Sequence, residues 1–269
     1  MPTSVRPEAR NKWTQKSIEY ANEKSYLDDL YAVYPVVHDN IRKINEQVMY
    51  KVENYFNHRD DINLIQSLLK LDLFPVKDSY VPYLRKSPNA IKKNPEIVKR
   101  ICGDLYEMSY QELYKRCTEP KEANRQMGPM FRNWLRNGEL SSYVKTESEF
   151  IRNSDDAILD GSDSSMMEFA RRKFGYRRNK GLDFIARFNN RYVIGEAKFI
   201  SDFGGHQNDQ FVDAMETVKS ELSDTSVLKI GIIDGVPYIV NKGKLFLELI
   251  KTEHNIMSAL LLKEFLESL

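Results

Sequence analysis

Gly181-Leu182-Asp183-Phe184-Ile185-Ala186-Arg187-Phe188-Asn189-Asn190-Arg191-Tyr192-Val193-Ile194-Gly195-Glu196-Ala197-Lys198-Phe199 is the stretch that decides the fold. Two apolar-alternating runs flank Asn189-Asn190, a pair that tolerates positive φ and so makes a two-residue hairpin turn. Pairing Phe188 with Arg191 sets Asp183 directly opposite Glu196, with Lys198 two residues further along the same face. Like charges opposed across a sheet destabilise it. A hard cation between the two carboxylates accounts for their being together, and Mg²⁺ suits them because it takes oxygen ligands and often uses only one or two carboxylates. The plain alternative is a solvated hairpin face. Against it stand Ile185, Tyr192 and Ile194 on the same face, and Gly195, since a strand glycine often marks close approach of backbone or ligand. The segment from Asp202 to Gln210, which reads as a loop rich in hydrogen-bonding side chains, follows at once.

Outward from the hairpin, Ser165-Met166-Met167-Glu168 has the form of a capping box opening a helix before it. Phe211, Met215, Val218 and Leu222 form an apolar stripe for a helix packed on the sheet. Lys229–Ile233 and Pro237–Val240 read as two more strands joined at Asp234-Gly235, and residues 253–266 as a closing helix. Helix, hairpin, helix, hairpin, helix gives an α/β fold, a mixed sheet flanked by helices. The first half is mainly α-helical. Ile41, Ile44, Val48, Val52, Tyr55 and Phe56 recur at helical spacing, as do Ile62, Ile65, Leu68 and Leu69, while Ser109 to Glu112 is another capping-box sequence and Pro75, Pro82, Pro88 and Pro95 cut the middle into short pieces. Residues 154–165, with four aspartates, read as a loop or linker. The expected division is therefore a helical region, 1–153, and an α/β domain, 154–269.

Composition bounds the function. A chain of 269 residues can bury a substantial core, and 41% apolar with 29% charged residues is ordinary for a soluble globular protein. Net charge is only +1, so nucleic-acid binding has to come from local patches. Cys102 and Cys117 show neither a zinc-ligand spacing nor a disulfide framework. No run is long enough to span a bilayer and no signal-peptide core is visible, which points to a soluble protein of a reducing compartment, without a membrane partner.

Asp183, a twelve-residue gap and Glu196-Ala197-Lys198 together resemble the Asp...(Asp/Glu)-x-Lys signature of the PD-(D/E)xK nuclease superfamily, with Leu182 where a proline often precedes the Asp. Strand, tight turn, strand, helix, strand and strand follow the order of that superfamily's core. Lys180–Gln210, with Asn124–Leu135 upstream, is similar to type II restriction endonucleases. The resemblance implies a PD-(D/E)xK-like catalytic domain over 154–269 and a DNA-embracing or dimerising helical region before it. It further implies Mg²⁺-dependent, sequence-specific hydrolysis of double-stranded DNA at a short palindromic site by a cytoplasmic prokaryotic homodimer, with no organic cofactor. A repair or junction-resolving nuclease of the same superfamily is one alternative. A non-catalytic DNA-binding protein that keeps the fold is another.

By the same resemblance Asp183 and Glu196 hold the metal, joined by the Ala197 carbonyl. Lys198 orients or deprotonates the attacking water and steadies the phosphorane charge, and Glu168 is an additional acidic member, or else only a capping glutamate. Six cations in residues 171–180, Arg177, Arg178 and Lys180 among them, stand ahead of Asp183 as phosphate-neutralising candidates, or as a solvated face. Candidates for DNA contact and base reading are Asp202, His206, Gln207, Asn208 and Gln210, then Arg125, Gln126, Arg132 and Arg136. Arg pairs with guanine, and Asn or Gln with adenine. Trp134 with Met130, Phe131 and Leu135 reads as helix core.

Overall fold

The computed structural model describes residues 8–23, 25–35, 42–119, 127–240 and 243–269, and of residues 205 and 206 the backbone only. In chain order the elements are helices α1 (Lys12–Glu23), α2 (Tyr26–Val33), α3 (Glu46–Asn57), α4 (Asp61–Leu68), α5 (Val81–Lys86), α6 (Ala90–Lys93), α7 (Pro95–Tyr106), α8 (Tyr110–Thr118) and α9 (Met127–Asn137). Then follow β1 (Val144–Lys145), α10 (Glu147–Arg152), β2 (Ala157–Leu159), α11 (Asp163–Phe174), β3 (Phe184–Phe188), β4 (Arg191–Ile200), α12 (Gly205–Lys219), β5 (Leu228–Gly235), α13 (Gly243–Lys251), β6 (Asn255–Met257) and α14 (Leu262–Glu267).

The described residues group into two compact units, one of 42–119 and one of everything before and after it. The division thus does not run at 153/154. Trp13 and Leu30 of α1 and α2, and Phe131 and Leu135 of α9, bury against the sheet residues Phe184, Ala186, Phe188 and Val193 in one core. The 42–119 unit is all helix, around Met49, Val52, Leu64, Ile65, Leu68, Ile101, Leu105 and Leu113. Its helices start where the sequence supplies caps: Asn45 accepts from the Val48 N–H, Asp60 from Asn63 and Ser109 from Glu112. Pro82 and Pro95 sit in first turns, where the missing N–H costs nothing. Cys102 and Cys117 are buried and free, and burial pushes both thiols well above their ordinary range, which leaves them unreactive.

The other unit carries a six-stranded sheet in the order β1-β2-β3-β4-β5-β6. β2–β3 and β3–β4 are antiparallel and the remaining pairs parallel, so the sheet is mixed. The β3–β4 turn is as read: Asn189 and Asn190 have φ 48° and 61°, and Phe188 pairs with Arg191. Buried Arg187 donates to the Phe150 and Asp155 carbonyls, tying β3 to the segment before β2.

Four local expectations are corrected. Residues 154–165 are no linker, because Ala157-Ile158-Leu159 is a buried strand between β1 and β3. The helix before the hairpin starts at Asp163 with Ser162 as its cap, which leaves Glu168 in mid-helix. Asp234-Gly235 makes no hairpin. β5 runs through both in parallel register with β4, and Val236–Tyr238 is a 3-10 turn. The cause lies at Asp234, which is fully buried and accepts from Tyr26, Tyr34, Ser258 and the Ala259 N–H, so its side chain is a structural anchor rather than a turn residue. Finally, 253–266 divides into β6 and α14. Ser258 leaves the helical path to bond Asp234 and cap the following 3-10 turn.

Candidate active site

The β3–β4 ladder stops at Phe184 paired with Gly195, so Asp183 and Glu196 stand at its next step. Asp183 donates its N–H to the Gly195 carbonyl at 3.2 Å, and its Oδ2 accepts from the Ala197 N–H at 3.1 Å. That bond turns the carboxylate across the end of the ladder toward β4. Gly181 allows the approach, since a Cβ there would lie 2.6 Å from Cβ of Asp163 in the first turn of α11. Gly195 serves packing: its missing Cβ leaves room for the Ile230 side chain.

Asp183 is 7% exposed and Glu196 1%. Lys198 Nζ lies 2.5 Å from Glu196 Oε1 and 3.7 Å from Asp183 Oδ2. From α12, Asp213 Oδ2 meets Lys180 Nζ at 2.5 Å and faces Lys198 Nζ at 3.9 Å, while Lys180 stands 3.9 Å from Glu196 Oε1. Arg178 holds the other oxygen of Asp213 at 3.3 Å. From α9, Arg132 reaches Asp183 Oδ1 at 3.3 Å and also pairs with Asp163. Asp183, Lys198, Lys180, Asp213, Arg132 and Asp163 border an open cleft of about 300 Å³ whose wall also includes Gly128, Pro129, Phe199 and Gln210, and Glu196 lies buried behind it.

Burial raises the Glu196 carboxyl to about 7, Asp183 adding repulsion and Lys198 partly offsetting both. Burial also raises Asp183, against the pull of Lys198 and of the Ala197 N–H. For Lys198 burial favours the neutral form, but Glu196, Asp183 and Asp213 outweigh it and hold the ammonium charged. Asp213 is stabilised as the anion: burial opposes this, and Lys180, Lys198 and Arg178 prevail.

Glu196 Oε2 is buried and accepts no hydrogen bond. An unsatisfied carboxylate oxygen beside a second buried carboxylate is costly as it stands and is the donor set a hard cation requires. Among the described residues no three His, Cys, Asp or Glu side chains group to hold a metal. The fit is thus for an ion that takes two carboxylates and leaves its other positions to carbonyl, water or substrate oxygens, which is the habit of Mg²⁺.

Of the residues expected at the site, Asp183, Glu196, Lys198 and Ala197 are together. Glu168 is not with them, its side chain being 51% exposed and paired with Arg171. Asp163, from the first turn of the same helix, occupies the cleft instead. The basic run 171–180 is largely spent within the protein: Arg171 binds Glu168, Arg172 binds Glu147, Arg178 binds Asp213 and Glu216, and Lys180 binds Asp213. Arg177 is exposed with no such partner among the described residues. Arg136 is paired with Asp160.

The polar segment after β4 divides. Asp202 is exposed and accepts from the Phe203 N–H. Residues 205 onward are already α12, where Gln207 is buried against the Ser201 N–H, Asn208 is half-buried and Gln210 borders the cleft. Arg125, Gln126 and the His206 side chain lie outside the described residues. Trp134 packs on Phe131, as helix core. Asp213 is not evident from the sequence, where the apolar stripe of α12 dominates the pattern. Its signal was the spacing of three from Gln210, which puts both on one helix face.

A family described as Tsp45I type II restriction enzyme matches residues 11–269. No curated protein and no solved structure matches the chain.

Proposed function

The chain belongs to the Tsp45I type II restriction enzyme family, and from that premise we propose that it cuts double-stranded DNA at the β3–β4 cleft by Mg²⁺-dependent phosphodiester hydrolysis, as a PD-(D/E)xK enzyme. The observation that carries this reading is the pair of buried carboxylates, Asp183 and Glu196, with the Lys198 ammonium 2.5 Å and 3.7 Å from them and one Glu196 oxygen unsatisfied. Family membership favours it over a junction-resolving or repair nuclease and over a non-catalytic binder.

Asp183 and Glu196 would hold Mg²⁺, joined by the Ala197 carbonyl. A strand residue's N–H and C=O leave on the same edge, and for Ala197 that edge faces Asp183, beyond the end of β3. Bound there, the ion would polarise a phosphoryl oxygen and lower the pKa of a water. Lys198, kept charged by its three acidic neighbours, donates to an oxygen that gains charge at phosphorus and fixes the direction of attack. Arg132 and Lys180 lie on the cleft wall, where each can exchange a carboxylate for a DNA phosphate. Gln210, on the same wall, is a base-reading candidate that borders the cleft. A homodimer reading a short palindrome follows from the match between two-fold protein symmetry and the two strands.

Unmethylated phage DNA, incubated with the protein and Mg²⁺ or with EDTA, tests the proposal. Discrete fragments are expected with Mg²⁺ and none with EDTA or with Asp183→Ala. A Mg²⁺-dependent smear would remove sequence specificity, and full cutting by Asp183→Ala would remove this site.

A further inference from the structure

The cations expected to meet DNA in residues 171–180 are mostly taken by carboxylates of their own unit, whereas a second set, in the 42–119 unit, has none. Between Asp78 and Glu96 the chain contains Arg85, Lys86, Lys92 and Lys93 and no Asp or Glu, and although Asp60, Asp61 and Glu96 border the same hollow as Lys92, none of them pairs with it. The segment covers α5 and α6, and all four cations are exposed. Arg85 donates to the Leu71 and Asp72 carbonyls, which fixes the segment to the unit. Lys86, Lys92 and Lys93 have no ion-pair or hydrogen-bond partner among the described residues. Tyr83 stands 66% exposed in the same segment, one turn of α5 ahead of Lys86.

The ordinary account of such lysines is that they complement helix C-termini. It is weak here, because α5 has six residues and α6 four, so little dipole accumulates for them to answer. Unpaired, exposed, same-sign charge repels itself and lowers stability. It is retained at no loss where a polyanion covers it.

We propose that the α5–α6 segment is a DNA-backbone binding surface, with Lys86, Lys92 and Lys93 each neutralising a phosphate and Tyr83 packing beside the sugar–phosphate chain. Backbone contacts of this kind set orientation and affinity without reading sequence. The proposal rests on the endonuclease reading and adds to it that the helical unit holds the duplex, rather than serving only dimerisation.

The test is the affinity of the whole protein for a duplex of about three helical turns, measured by fluorescence anisotropy against KCl in EDTA. The variants are Lys86→Gln/Lys92→Gln/Lys93→Gln and, as a control of equal charge change on exposed lysines elsewhere in the unit, Lys43→Gln/Lys51→Gln/Lys115→Gln. Each lost phosphate contact lowers the slope of log K on log salt by about 0.9. The first triple variant is expected to flatten the slope by about 2 to 3 and the control to leave it in place. Lys86→Arg/Lys92→Arg/Lys93→Arg, which keeps the charge, should keep the wild-type slope. An unchanged slope, or equal flattening by the control, would overturn the proposal, as would loss of self-association by the first variant with DNA binding intact. A wild-type protein that neither binds nor cuts DNA would instead sink the endonuclease reading itself.

Discussion

Replacing Glu196 by Gln should stabilise the metal-free protein at pH 8 while destroying its response to Mg²⁺. Glu196 has an ordinary value of 4.5 and a folded value of about 7, set first by burial and then by Asp183. That difference corresponds to about 3 kcal/mol. Its sign follows from where the proton sits. Between pH 4.5 and 7 the folded chain retains a proton that the unfolded chain has lost, so the favourable contribution is complete below about 4.5 and is lost as pH rises through 7. Gln stays neutral throughout. In EDTA at pH 8 Glu196→Gln is therefore expected to exceed wild type by up to about 3 kcal/mol, with the gap narrowing as pH falls from 7 and closing only below about 4.5. A cation bound at a hundred times its Kd adds about 2.7 kcal/mol to the native state, and wild type should gain on this scale from Mg²⁺ where the variant gains nothing. Urea unfolding followed by tryptophan fluorescence reports the right part of the molecule, because the protein's two tryptophans, Trp13 and Trp134, both belong to the sheet-bearing unit. A variant less stable than wild type at pH 8 in EDTA would refute the reasoning. It would mean that the contact with Lys198 is a net structural anchor and not a site held ready for a cation.

Two further outcomes follow from the same geometry. Lys198→Met should lower single-turnover cleavage on the order of 10³-fold while DNA affinity changes far less; a loss confined to affinity would make Lys198 a binding residue only. Gly235→Ala should cost about 3 kcal/mol, because φ there is +96° and the added Cβ would fall 2.1 Å from the Ile200 carbonyl oxygen, backbone that cannot yield; tryptophan-monitored unfolding at unchanged stability would refute this.

Local chemistry alone determined the hairpin. Asn189 and Asn190 take positive φ, the register follows from the turn, and a period of two then carries Asp183, Glu196 and Lys198 to one place without help from the rest of the chain. The amphipathic helices were legible for a similar reason, since one stripe of residues suffices to define them. Tertiary structure decided whatever depended on a distant partner. Ala157-Ile158-Leu159 is a strand only because β1 and β3 flank it, while Asp234-Gly235 has the sequence of a turn and becomes strand because Tyr26, Tyr34 and Ser258, far apart in the chain, satisfy its carboxylate. The grouping of α1, α2 and α9 with the sheet, across an intervening helical unit, leaves no periodic trace in sequence. Charge pairing was the least legible of all. Whether a lysine or arginine is free for phosphate or spent on Asp213, Glu216 or Glu168 depends on side chains brought within a few ångströms by folding, and the Coulomb energy that selects among them is short-ranged in water.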